Sequence, residues 1–242
     1  MKQTFLLALF ILIFQSGYSQ EKRVPAQPKV FVSLGYGITK SDNLSEYYDI
    51  LVNNYRSLGV PVSTQREFGP TLMANAGVIF NLIENIGAGI SFGYLYSPAY
   101  SNYKDYAGTL KINGSVRSFE ILLNVYYTLL KVGEFPIVLS PQLGVSHSSV
   151  RITQEVRFNN FSENNYNWKM TKDGWGPCAQ LTIGTSINLG EFIVALEGGY
   201  RYTQIHVTEQ TEESTTGTEE VNKAMGIGLN GFISDLSFGI KF

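Results

Sequence analysis

The sequence holds a single cysteine, Cys178, among its 242 residues. No disulfide can form within the chain, and no CxxC or Cys/His spacing offers a metal site. Histidine and tryptophan are scarce too, at two residues each. Charged residues make up only 16%, with 18 basic against 20 acidic and a net charge of −2. That balance lacks the basic surplus of a nucleic-acid binder. No P-loop or HExxH motif is present. After the first 19 residues no apolar run approaches the roughly 18 needed for a spanning helix. Any membrane embedding must then use β-structure, because the bilayer core tolerates only helices and closed barrels.

What the chain does have is 15 Tyr, 15 Phe and 24 Gly. Its mean hydropathy is −0.01. A barrel with a polar interior and an oily exterior averages near zero in this way. Lys2, the apolar stretch Phe5 to Phe14, and the small residues Gly17 and Ser19 read as a secretory signal over residues 1–19. Residues 20–28 read as a short periplasmic leader and 29–242 as one β-barrel domain.

Period-two alternation runs through that domain. Val30, Val32, Leu34, Tyr36 and Ile38 share one face. Leu72 to Leu82, Ile86 to Tyr96, Phe119 to Leu129, Ile137 to Val145, Trp175 to Leu189 and Phe192 to Tyr202 repeat the pattern. Phe232, Leu236, Phe238, Ile240 and Phe242 end the chain on the same rhythm. The expected fold is all-β: a closed, antiparallel, eight-stranded transmembrane barrel with long extracellular loops. Short turns are expected at 84–85, 131–135 and 190–191, and long loops at 40–67, 98–114, 152–172 and 207–221. One loop carries a short helix, because Leu44, Tyr48, Leu51, Tyr55 and Leu58 recur at helical spacing. Asn43 and Glu46 suggest a capping box for it, and its oily face is expected to pack on the barrel rim. Met225, Ile227 and Leu229 break the closing parity. Either a bulge near Asn230 and Gly231 restores it, or the three residues point inward.

Leu196 to Tyr202 (LEGGYRY) and the ending DLSFGIKF resemble the small eight-stranded outer-membrane proteins of the OmpA-transmembrane, OmpX and PorT-like kind. The resemblance implies an outer-membrane location, with lipid around the barrel. It also implies that the barrel-assembly machinery reads the terminal strand through Phe238, Ile240 and Phe242.

An eight-stranded interior is wide enough for side chains or one small ligand. Inward positions supply Glu120, Glu197, Arg201, Asp235 and Lys241. Buried charges must pair, so a lumen ion-pair cluster is expected. His147 and Ser149 stand near the outer end of their strand. Their His-x-Ser spacing resembles the lipid A deacylase barrels, with Val150 where that family has asparagine. No third catalytic group can be placed beside them. No catalytic residue, metal or cofactor is assigned. The expected function is therefore a non-enzymatic outer-membrane barrel acting through its surface loops on an extracellular or envelope partner, in adhesion, partner binding or envelope integrity. The alternatives are a rim lipid-modifying enzyme at His147 and Ser149, and a narrow channel or small-ligand carrier.

Overall fold

The computed structural model describes residues 28–40, 42–66, 68–159, 165–215, 217–220 and 226–242. The expected signal and nearly all of the leader lie outside these residues, as does Met225. The described elements are β1 (Pro28–Lys40), α1 (Asp42–Ser57), β2 (Ser63–Arg66), β3 (Pro70–Ile83), β4 (Ile86–Lys104), β5 (Gly108–Val132), β6 (Phe135–Phe158), β7 (Tyr166–Leu189), β8 (Phe192–Ser214), β9 (Gly217–Glu220), β10 (Ile227–Gly228) and β11 (Asn230–Lys241).

Every described strand pairing is antiparallel. β3, β4, β5, β6, β7 and β8 pair in succession. β8 then pairs with β11, β11 with β1, and β1 with β3. The chain is thus an almost all-β sheet in a ring-like arrangement with one helix.

At one end the connections are tight. Glu84-Asn85, Gly133-Glu134 and Gly190-Glu191 are each two residues long. Gly133 and Gly190 take φ of 64° and 69°, a left-handed backbone that glycine supplies without strain; the Glu84-Asn85 hairpin has no such residue and instead shifts register between Asn81 and Ile83. The expected five-residue turn at 131–135 is therefore shorter, with Lys131, Val132 and Phe135 in strands.

The other end departs from expectation. Most of the segments 98–114, 152–172 and 207–221 are strand. β4 runs to Lys104 and β5 begins at Gly108, so only Asp105 to Ala107 turn. β6 runs to Phe158, β7 starts at Tyr166 and β8 reaches Ser214. β5 has 25 residues, about 85 Å of extended chain. A membrane-crossing strand needs roughly 9–11 residues. More than half of β5 is thus a strand extension beyond any such band.

Side-chain polarity explains why these stretches look loop-like in sequence. In the lower part the outward positions are apolar: on β5 they are Phe119, Ile121, Leu123 and Tyr127, all exposed. Continuing up β5, the outward positions become Arg117, Ser115, Asn113 and Lys111, while Val116, Ile112 and Leu110 are buried inside. On β6, Leu143 and Val145 point out and Ser146 and Ser148 point in; above them Arg151 points out while Val150 and Ile152 are buried. The apolar residues change faces at one level of the wall. The upper part has a mainly apolar core, in which Ser101, Gln154 and Lys172 are also buried, and a polar exterior, like a protein in water.

The helix fills that upper core. Leu44, Tyr48 and Val52 fall on one stripe four residues apart and are buried with Phe68, Leu95, Ile112, Val150, Ile152, Met170 and Ile205. β1, β3 and β11 stop short of this level, while β4 to β8 continue. Instead of lying on the rim, α1 packs inside the extension. Asn43 lies within the helix and donates its amide to the Gly226 carbonyl at 3.1 Å. It thereby ties α1 to the segment before β10.

The closing parity needs no bulge. Gly228 pairs with Gln204 and Gly231 with Arg201, so β10 and β11 hold one register against β8. Ile227 and Leu229 are buried inside the extension, continuing the inward row of Ile233 and Asp235.

Candidate functional site

Four of the five expected lumen charges lie at the foot of the upper core. Arg201 on β8 forms a two-pronged ion pair with Glu120 on β5: Nη1 donates to Oε2 at 2.7 Å, and Nη2 donates to Oε1. Both are buried, Arg201 to 1% exposure. The fork geometry of guanidinium against carboxylate is what makes such a pair tolerable out of water. Gln180 Nε2 also donates to Glu120 Oε2 at 3.3 Å, and the Cys178 thiol lies 3.8 Å from Oε1. The lone cysteine is thus a small lumen-lining residue; Thr203 donates to its sulfur at 3.3 Å.

Glu197 and Asp235 stand directly opposite each other on β8 and β11. Thr182 donates its hydroxyl to Glu197 at 2.7 Å. Gly35 faces Asp235 from β1, and a Cβ there would overlap Asp235 Oδ1. Lys241 is not part of this group. It lies six residues further along β11, opposite Lys29 at the tight-turn end.

Around the charges the lumen is lined by hydroxyls and amides. Ser118 shares hydrogen bonds with Ser146 at 2.6 Å and Ser148 at 2.5 Å. Asn124 donates to Ser91 at 2.9 Å and Asn75 to Ser33 at 3.1 Å. Above them, Tyr48 of α1 donates its hydroxyl toward Ser101 Oγ and the Ile112 carbonyl, each at 3.0 Å. Burial pushes the Tyr48 phenol above its usual range, so it stays a neutral donor. Polar side chains thus line the interior at the lower level, and the helix occupies it at the upper.

Aromatic side chains gather where the outward polarity switches. Tyr94 packs on Phe119 with centroids 5.1 Å apart, and Tyr200 on Phe232 at 5.4 Å. Arg117 lies 6.0 Å from the Tyr96 ring centroid. Phe80, Tyr127, Phe135, Phe192 and Phe242 are exposed toward the tight-turn end. Phe242 extends β11, its amide donating to the Pro28 carbonyl at 3.1 Å.

His147 and Ser149 both point outward from β6 at that switch, His147 in register with Phe119 and Ser149 with Arg117. His147 packs on Trp175 with centroids 4.7 Å apart. Ser149 is aligned with Arg117 on one side and Asp173 on the other. A hydroxyl nucleophile needs a base within hydrogen-bond reach, and His147 is instead engaged with the indole. Trp175 is also aligned with His206 on β8. The two histidines of the chain thus flank one tryptophan across three strands, an arrangement visible only once the register is known. No group of three or more His, Cys, Asp or Glu suited to a metal occurs among the described residues.

No family model matches the chain, and no curated protein does. Solved structures give distant likenesses. The attachment invasion locus protein of Yersinia pestis is 11% identical, with 90% of this chain and 100% of that one covered, at a TM-score of 0.43. The outer membrane protease OmpT from Escherichia coli is 10% identical over 93% and 99%, at 0.45. A major outer membrane protein from Thermus thermophilus is 12% identical over 89% and 99%, at 0.46. Likeness at this level assigns neither family nor activity.

Proposed function

We propose that the chain is a closed, eight-stranded transmembrane barrel of the outer membrane that holds a rigid, helix-filled β-extension outside the cell. The barrel is the anchor, and the wet outer face of the extension is the working surface for an extracellular or envelope partner. The observation that carries this reading is the exchange of faces at one level of the wall. Below it an exposed apolar belt surrounds a polar, ion-paired lumen, the pattern of a barrel in lipid. Above it a mainly apolar core sits under polar side chains, the pattern of a fold in water. The outward apolar run on β5, Phe119 to Leu129, matches the roughly 9–11 residues that one crossing takes. Aromatics gather toward both ends of the belt, where ring systems favour the interface.

A non-enzymatic role fits a lumen lined by polar side chains and a rim histidine committed to Trp175. The resemblance-based role of Phe238, Ile240 and Phe242 as an assembly signal belongs to this proposal, as does the cleaved signal over residues 1–19.

Whole-cell labelling tests the topology. Asn113→Cys places a thiol on the outside of the extension, and Glu134→Cys places one at the tight-turn end; native Cys178 is buried. A membrane-impermeant maleimide should label Asn113→Cys on intact cells and Glu134→Cys only after lysis. The protein should fractionate with outer membrane and change gel mobility on boiling. Equal labelling of both thiols on intact cells, or a soluble protein indifferent to heat, would overturn the reading.

A further inference from the structure

One concavity opens on the outside of the wall at the level where polarity switches. It is a groove of about 480 Å³ between the upper end of β1, the start of α1 and the β10–β11 strand. Its lower part is apolar: Ile38, Phe232 and Tyr200 line it, and all three are exposed within the apolar belt. Its upper part is polar, lined by Lys40, Asn43 and Asn230. The vertical order follows from register, since Ile38 pairs with Phe232 and Lys40 with Asn230. The groove therefore runs from oil to water along one seam.

The polar end is built. Asn43 is held by its bond to the Gly226 carbonyl, and Asn230 accepts the Thr203 amide through Oδ1 at 2.9 Å. That leaves the Asn230 amide nitrogen as a donor beside the Lys40 ammonium. None of the described lining residues is acidic. Gly228 contributes no side chain, which leaves the concavity open. An occupant must be apolar below and anionic above.

We infer that this groove seats one anionic lipid of the surrounding leaflet, with an acyl chain along Ile38 and Phe232 and its phosphate at Lys40. The inference rests on the transmembrane reading above and adds to it a defined lipid site. Phosphate is the headgroup chemistry that an ammonium and an amide donor recognise together.

The test uses the full chain in non-ionic detergent, titrated with dimyristoyl phosphatidylglycerol and read by native mass spectrometry. One tightly held lipid per chain is expected. Lys40→Gln should weaken it about fivefold, the worth of one surface cation against an anionic headgroup. Lys111→Gln, on the outward face of β5, should leave it unchanged. Dimyristoylglycerol, with the same chains and no phosphate, should bind at least as weakly to wild type as the phospholipid does to Lys40→Gln. Equal phospholipid affinity of Lys40→Gln and wild type would overturn the site, and so would equal losses in both lysine variants. If wild type keeps its heat-dependent mobility yet shows no Lys40-dependent lipid, the groove proposal alone fails. If it is soluble and indifferent to heat, the transmembrane reading fails and takes the groove with it.

Discussion

Arg201 on β8 and Glu120 on β5 clasp one another across the interior, although β6 and β7 separate them along the wall. The pair sits under the upper core and draws in Gln180 and Cys178. Its energetic weight lies less in the attraction than in what removal leaves behind.

Arg201→Met leaves the Glu120 carboxylate buried without its cation. A loss of about 3–5 kcal/mol is expected for breaking such a pair. The combined change Glu120→Leu with Arg201→Met should recover most of that, since both desolvated charges are then gone. Urea titration of the heat-modifiable band checks both variants; a double variant as unstable as the single one would contradict the argument.

Outward positions on β5 should respond to charge according to their level. Leu123→Arg, in the middle of the apolar belt, should cost about 2–4 kcal/mol in lipid vesicles. Asn113→Arg, on the extension, should change stability by less than about 0.5 kcal/mol, as surface substitutions do. Refolding titrations into vesicles measure both. Equal costs would mean that the two levels share one solvent.

Tyr48 locks the helix to the strands around it. Tyr48→Phe leaves the Ile112 carbonyl without this donor inside a mainly apolar core and should cost about 1–3 kcal/mol. Tyr48→Ala adds a cavity and should cost about 3–5 kcal/mol. Limited proteolysis of the extension should speed up in that order. The mobility shift on boiling should persist in both, because the contacts of Tyr48 lie in the upper core, above the proposed membrane-spanning part.

Asp105 governs the turn between β4 and β5 through its carboxylate. Tyr103 donates its hydroxyl to it at 2.8 Å, and the Gly108 and Ala107 amides donate at 2.9 and 2.8 Å. The Tyr103 hydroxyl first, then the Gly108 amide, hold the Asp105 carboxyl below its usual range. A depressed folded pKa means the turn's support is present above the unfolded value, about 3.9, and is lost as pH falls through the folded value. A carboxyl titration by NMR should give a midpoint below about 3.9, moving up in Tyr103→Phe. Exchange of the Ala107 and Gly108 amides should lose protection over the same acid window.

Residue order alone was enough to read the strand faces of the lower wall, the tight turns at Gly133 and Gly190, the helix of residues 42–57 and the inward parity of Glu120 and Arg201. Each of these is a short-range consequence of residue type and period, so the order of Phe119, Glu120 and Ile121 suffices to assign out, in and out. The remaining features are long-range. That Arg201 meets Glu120 rather than Asp235 depends on ring curvature bringing β5 opposite β8, a relation no local pattern carries. That Lys241 stands apart follows from its register with Lys29. That residues 98–114, 152–172 and 207–221 are mostly strand depends on α1 folding inside them. With the helix filling the upper ring, the inward face there is mainly apolar, and the outward Asn113 and Lys111 that look like loop residues are the wet side of a wall.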